Sequence, residues 1–347
     1  MNDSSYGSAP TIDPSLDLAP RPARASTRSR WLALAIRAAI SGALVAWMLS
    51  HAAVADIVAA FANVHTAWLA LAGVLLFNGS FLTAWRWRLL LAAQGVHLPQ
   101  RLLFLSCIVA IFFKQFLPAT FGGDASRFYD SWRMGTPRSV AAIALVVDRV
   151  LGLLALVLVA AVMLPFAREL TSAYPGVYAW VLLAAAALGL VTLMFFAREG
   201  SLIHRLGAFA RLVPEKVQRK LARTAAALKA YRGRGRELSW LMVLSLALQL
   251  NVILFYWTVA QALGLAVPAA AFLVIVPVAI VVMLIPVSIN AIGVREAIFV
   301  LLLAAYGVST GEALAFAWLE YAMFLVYGLL GGVVFLLRRA APPPRRA

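Results

Sequence analysis

Two arginines stand at the same place in two similar stretches of this chain. The first stretch reads Phe116-Leu117-Pro118-Ala119-Thr120-Phe121-Gly122-Gly123-Asp124-Ala125-Ser126-Arg127. The second reads Leu284-Ile285-Pro286-Val287-Ser288-Ile289-Asn290-Ala291-Ile292-Gly293-Val294-Arg295-Glu296. Arg127 and Arg295 each follow their proline by nine residues, with a glycine-containing turn between and an acid, Asp124 or Glu296, close by. A guanidinium at the middle of a membrane helix costs roughly 2.5–3.5 kcal/mol or more, so it persists there only with a partner or a task. Its planar fork suits phosphate, to which it gives two parallel charge-assisted bonds. Helices starting after Gly122-Gly123 and after Ile292-Gly293 would add backbone N–H donors and positive dipole ends. Two such features facing each other would make an anion site. The alternative is structural: Arg127 pairs with Asp124, and Arg295 with Glu296 or Glu320, to hold the helix breaks together.

Other ionisable residues fall inside apolar runs. Asp148 and Arg149 are adjacent, and neighbours on a helix point to different sides, so each is expected to find its own partner on another helix. Glu320 and Lys114 also lie within apolar stretches, where an ionisable group reads first as functional. Asn78, Gln249 and Asn251 are read as hydrogen bonds between helices. The expected substrate-binding set is therefore Lys114, Pro118, Gly122, Gly123, Asp124, Arg127, Asp148, Arg149, Pro286, Gly293, Arg295, Glu296 and Glu320. No catalytic residue is expected, because there is no Gly-rich nucleotide loop, no Ser/His/Asp arrangement and no acidic pair at a membrane face. His51, His65, His97 and His204 are scattered, and Cys107 is the only cysteine, so neither a metal, a cofactor nor a disulfide is expected.

The elements that hold these residues must be membrane helices. Of 347 residues, 63% are hydrophobic and 13% charged, well beyond what a soluble interior can absorb. Trp31–Ser50, Ala67–Trp85, Ser139–Phe166, Val177–Phe196, Ser239–Leu263 and about Ala313 to Leu337 each suit a span of ~20 residues. The runs Leu102–Leu117 and Ala269–Ile285 stop at the two prolines. Arginines flank the first of them on both sides, Arg86, Arg88 and Arg101 before and Arg133 and Arg138 after, so it is read as re-entrant rather than crossing. The expected fold is all-α: a polytopic integral membrane protein with about six full spans plus two re-entrant helical hairpins in an inverted repeat. Residues 1–30 read as a disordered tail, 31–166 as the first membrane repeat, 167–340 as the second, and 341–347 as a tail. Residues 198–238 form a basic amphipathic segment, with Val217, Leu221, Ala225, Leu228 and Tyr231 on one stripe. It suits an anionic membrane surface or a connector packed on the protein. The formal charge of +16 follows the positive-inside pattern, with both termini cytoplasmic, and is not read as nucleic-acid binding.

These motifs, together with Asp148-Arg149, Gly152 and Ile285-Pro286, resemble the transmembrane region of lysylphosphatidylglycerol synthases, a family also described as flippase-like membrane proteins. The resemblance covers roughly residues 30–340. It implies lipid translocation in the cytoplasmic membrane, with relatives acting on aminoacylated phosphatidylglycerol, hopanoid-type or polyprenyl-phosphate lipids. The larger synthases carry a cytosolic aminoacyl-transferase domain after the membrane part. This sequence runs to Ala347 without one, so the expectation is not a synthase. Asp124 departs from many relatives, and the substrate type does not transfer. Two other readings stay open: a membrane-embedded glycosyl or phospholipid transferase, and a non-catalytic partner of a lipid-modifying enzyme. The expected partners are membrane lipids with an anionic headgroup, and such an enzyme.

Overall fold

The computed structural model describes residues 59–62, 64–116, 122–166, 168–173, 176, 179, 183, 186, 231, 234–284, 288 and 290–340. The expected span Trp31–Ser50, nearly all of Val177–Phe196, Pro118, Pro286 and most of the basic segment lie outside these residues. The described helices are α1 (Thr66–Ala92), α2 (Gln100–Phe116), α3 (Gly122–Arg133), α4 (Arg138–Met163), α5 (Arg168–Ala173), α6 (Gly235–Ala262), α7 (Ala269–Met283), α8 (Val294–Ala304) and α9 (Thr310–Ala340). There is no strand among the described residues. Four helices, α1, α4, α6 and α9, are long and apolar enough to cross a membrane. This is a multi-pass helical membrane protein.

Its surface is what lipid demands. Leu71, Val74, Phe77 and Phe81 on α1, Leu158 and Val162 on α4, and Leu329, Leu330 and Val333 on α9 are all exposed. In water such residues would be a liability, whereas hydrocarbon accepts them. The helices are held to one another by packing and by polar bonds that have no water to compete. Asn78 Nδ2 donates to Asn251 Oδ1 at 2.7 Å, Asn251 Nδ2 to the Leu75 carbonyl at 3.0 Å, and Gln249 Nε2 to the Gly152 carbonyl at 3.0 Å. These three are the interhelical bonds expected from sequence.

The order of lengths repeats. A long helix, two short ones and a long one occur as α1–α4 (27, 17, 12 and 26 residues) and again as α6–α9 (28, 15, 11 and 31 residues). At 1.5 Å per residue α2 and α7 reach only about 25 and 22 Å, short of a hydrocarbon core of about 30 Å. The packing repeats too. Helix α2 packs on α3 as α7 does on α8, α1 on α2 as α6 on α7, and α3 on α4 as α8 on α9. Across the halves, α2 packs on α9 as α7 does on α4, α4 on α6 as α9 on α1, and α1 on α6. Exchanging the halves maps this set of pairs onto itself. Helices α1 and α6 run antiparallel. His65 N donates to the Ala262 carbonyl, Trp68 meets Trp257, Asn78 meets Asn251, and Arg86 meets Ser245.

Helix ends differ from expectation where they matter for the site. Helix α1 continues past Trp85 to Ala92, because Trp85-Arg86-Trp87-Arg88 is followed by Leu89, Leu90 and Leu91 on the same helical register. Arg86 is thereby drawn into the protein rather than left in a loop. Tyr231, from the stripe of the basic segment, is fully buried beside α1. Its hydroxyl donates to the Leu90 carbonyl at 3.0 Å and accepts from Gln94 Nε2 at 2.8 Å. At this residue the segment behaves as a connector docked on the protein. Burial pushes the Tyr231 phenol up, so it serves as a neutral donor.

Candidate functional site

In the first half, the helices bring five charges into one network. Asp148 on α4 accepts from Arg86 Nε at 2.7 Å and from Arg127 Nη2 at 3.2 Å. Arg127 Nη2 also donates to Asp124 Oδ1 at 2.9 Å, one turn earlier on α3. Asp124 Oδ2 accepts from Arg149 Nε at 2.8 Å and from its Nη2. Arg86 is completed by Ser245 Oγ on α6 at 3.1 Å. Trp87 lies under the Arg127 guanidinium at 4.9 Å and is itself fixed by a bond from Nε1 to Ser131 Oγ at 3.0 Å. Asp148 and Arg149 thus have different partners, Asp148 meeting Arg86 on α1 and Arg127 on α3, and Arg149 meeting Asp124 on α3, as their adjacency requires.

The second half repeats the arrangement in outline. Arg295 Nε on α8 lies 3.3 Å from Glu320 Oε2 on α9, without hydrogen-bond alignment. Arg295 Nη2 donates to the Asn290 carbonyl at 3.3 Å, and Tyr321 lies under the guanidinium at 4.6 Å. Glu320 Oε1 accepts from Tyr256 Oη on α6 at 2.8 Å. Asp148 stands ten residues after the first residue of α4, and Glu320 ten residues after the first residue of α9. The two arginine–carboxylate pairs therefore occupy corresponding places. Of the two partners expected for Arg295, Glu320 is the one it meets. Glu296 turns back instead and accepts from Gly293 N at 2.6 Å, capping α8. The positive end of α8 is thus already met by the protein's own carboxylate, and Asp124 at the start of α3 is engaged by two arginines. The unengaged positive charge therefore lies on the side-chain cations and not at the helix starts.

Both arginines keep donors in reserve. Arg127 Nη1 and Arg295 Nη1 are buried with no hydrogen-bond partner among the described residues. Lys114, near the end of α2, is exposed and sits 5.9 Å from the Phe324 ring. It is within electrostatic reach of Arg295, Arg149, Glu320 and Asp124, and so joins the two networks. The Arg149 side chain is 49% exposed although it starts eleven residues into a 26-residue apolar helix. A cation so placed needs water, a partner or a ligand beside it. Gly122 and Gly123 open α3. A Cβ on Gly123 would lie 2.8 Å from the Ala110 carbonyl oxygen, so glycine lets α3 fold closely back on α2. Gly293, at φ 85°, makes the corresponding turn before α8, following Asn290 and Ala291, which also have positive φ.

The structure thus brings together Lys114, Asp124, Arg127, Asp148, Arg149, Arg295 and Glu320, with Gly122, Gly123, Gly293 and Glu296 shaping the helix starts. Sequence reasoning missed Arg86, Trp87, Tyr256 and Tyr321. Arg86 could have been found from the helical register running on to Leu91. Tyr256 carries no such signal, since a tyrosine in an apolar helix does not announce which hydroxyl partner it has. Among the described residues, no group of three or more His, Cys, Asp or Glu is arranged to hold a metal ion. No curated protein matches the chain. The family model described as the lysylphosphatidylglycerol synthase transmembrane region matches residues 34–340, spanning both networks, and the chain belongs to that family.

Proposed function

We propose that this protein is a flippase-like translocator of an anionic phospholipid or a lipid-linked phosphate, of polyprenyl-phosphate or hopanoid type, across the cytoplasmic membrane. The observation that carries the reading is the pair of buried arginines at corresponding places in the two halves, each with an Nη1 donor that has no partner among the described residues. Lys114 and Arg149 add exposed positive charge between them. A phosphate headgroup would take these donors while its tails stay in lipid. The protein acts by binding and movement and not as an enzyme. The family's association with lipid metabolism supports a lipid as the cargo.

The two halves form an inverted-topology repeat, with α2–α3 and α7–α8 as re-entrant hairpins reaching the midplane from opposite sides. The self-mapping packing and the antiparallel α1 and α6 support this. Both termini are cytoplasmic. The ion pair between Arg338 Nη1 and Asp130 Oδ2, at 3.2 Å, puts the end of α9 beside the end of α3, among Arg133 and Arg138. Rocking of one half on the other would open the site to each side in turn.

Proteoliposomes with fluorescent phosphatidylglycerol test the reading. The rate should fall from wild type to Arg295→Lys and at least tenfold further to Arg295→Ala, because Lys keeps the charge but loses the fork. Arg127 should give the same order. Folded Ala variants that move lipid at the wild-type rate would reject the anion site.

A further inference from the structure

Exchange of the halves matches position to position but not chemistry to chemistry. Asp148 is held by two guanidinium groups, Arg86 at 2.7 Å and Arg127 at 3.2 Å. Arg86 lies twenty residues into α1, and at nearly the same depth, twenty-one residues into α6, the second half has Tyr256. Glu320 is only 2% exposed, with one cation 3.3 Å away and one neutral donor at 2.8 Å. Its Oε2 has no hydrogen bond among the described residues. The other ionisable groups around it are Lys114 on α2, Glu296 on α8 and Tyr321 on α9, and Glu296 is spent on capping. If a headgroup draws Arg295 away, Glu320 keeps only the Tyr256 phenol in contact among the described residues, with the exposed Lys114 beyond ion-pair distance. A buried carboxylate without its cation is much less stable than the neutral acid.

We propose that Glu320 is a proton-binding site coupled to the headgroup: Arg295 turns to the phosphate, and a proton from water adds to the Oε2 that Arg295 leaves. Tyr256 keeps its bond to Oε1 throughout. One negative charge arrives with the phosphodiester and one positive charge with the proton, so the pair crosses as an electroneutral unit. Asp148 stays ionised, because Arg86 remains beside it when Arg127 engages the ligand. The ligand in this inference rests on the proposed transport function, whereas the proton site is measurable without transport.

Infrared difference spectra of the reconstituted full chain read it directly, since a protonated carboxyl has a C=O stretch that a carboxylate lacks. Arg295→Ala imitates the departed guanidinium and should show a protonated-carboxyl band at neutral pH. Adding Glu320→Gln should remove the band, and Arg127→Ala alone should show none. Wild-type protein in phosphatidylglycerol vesicles should show the same band against phosphatidylcholine vesicles, so the test does not hang on the folding of Arg295→Ala. Absence of the band from both samples, or a band that survives Glu320→Gln, overturns the site. In transport, movement of labelled phosphatidylglycerol should rise severalfold with an imposed pH gradient and ignore membrane potential, and Glu320→Gln should lose the pH response. Movement that follows voltage and ignores pH overturns the coupling. The band without any lipid movement by wild type upholds the proton site and rejects the transport reading.

Discussion

Arg127 reaches two acids and shares both of them. Asp124 is also held by Arg149, and Asp148 by Arg86, so removing the Arg127 guanidinium leaves neither carboxylate alone. Arg86 is different. It joins α1 to Asp148 on α4 and to Ser245 on α6, and it is buried. Taking one partner from a buried ion pair costs about 3–5 kcal/mol when the other is left uncompensated. Asp148 would retain Arg127, which softens the loss but ties up the arginine assigned to the headgroup. Arg86→Ala is therefore expected to lower folded yield and the unfolding temperature clearly, and Arg127→Ala to lower transport with a smaller change in stability. Thermal unfolding of the two purified variants, followed by tryptophan fluorescence, checks this. An equal loss of stability in both would make Arg127 a structural residue. The asymmetry was not legible in the sequence, where Arg127 and Asp124 were visible as neighbours but Arg86 lay far away. Three residues that a sequence separates widely become one network only once α1, α4 and α6 are packed.

Helices α2 and α9 meet through glycine. A Cβ on Gly331 would collide with the Ile108 carbonyl oxygen, and one on Gly332 would lie 2.9 Å from the Phe112 ring. Among the described residues nothing lies within 4 Å of where a Cβ on Gly73 of α1 would be. Gly331→Leu should therefore push α9 away from α2, whereas Gly73→Ala should leave stability unchanged or raise it by up to about 1 kcal/mol through helix propensity. Because Lys114 lies on α2 and Glu320 on α9, Gly331→Leu should also depress lipid movement more than it depresses folding. Unfolding temperature and transport measured on both variants decide it, and a Gly331→Leu protein with wild-type values of both would show that the close contact is dispensable. At this scale the sequence was informative about which segments are helical. The proline and glycine breaks placed the ends of α2 and α7 within a residue or two of where the structure has them. It was less informative about α1, where Trp85 and Arg86 read as an interfacial end. Tryptophan and arginine mark interfaces on average, and here burial of Trp87 against Ser131 and of Arg86 against Asp148 overrides that preference.

The arrangement of the whole molecule turns on one relation, that between the two halves. Two helices that pack antiparallel and are equivalent by exchange must be related by an axis perpendicular to them, and for helices that cross a bilayer that axis lies in the membrane plane. Helices α1 and α6 satisfy the first condition through the contacts of His65 with Ala262, Asn78 with Asn251 and Arg86 with Ser245. The pairing of α2 with α9 and of α7 with α4 supports the second, and on it the proposed inverted repeat rests. The expected consequence is that the two short-helix pairs open to opposite sides. Arg101 and Arg133 are exposed at the open end of α2–α3, and Ala266 and Ser309 are exposed at the open end of α7–α8. Cys107 is the only native cysteine and is buried, so Cys107→Ala gives a clean background. Single cysteines at Arg101 and Arg133 should react with a membrane-impermeant maleimide only from the cytoplasmic side, and those at Ala266 and Ser309 only from the outside. A parallel repeat would have all four labelled from one side, and that result would reject the inverted plan. A split within either pair, one residue inside and one outside, would instead show that the short helices cross the membrane together and are not re-entrant. The distinction matters for mechanism, because hairpins entering from opposite faces would let each half close a different side of one site, as alternating access requires.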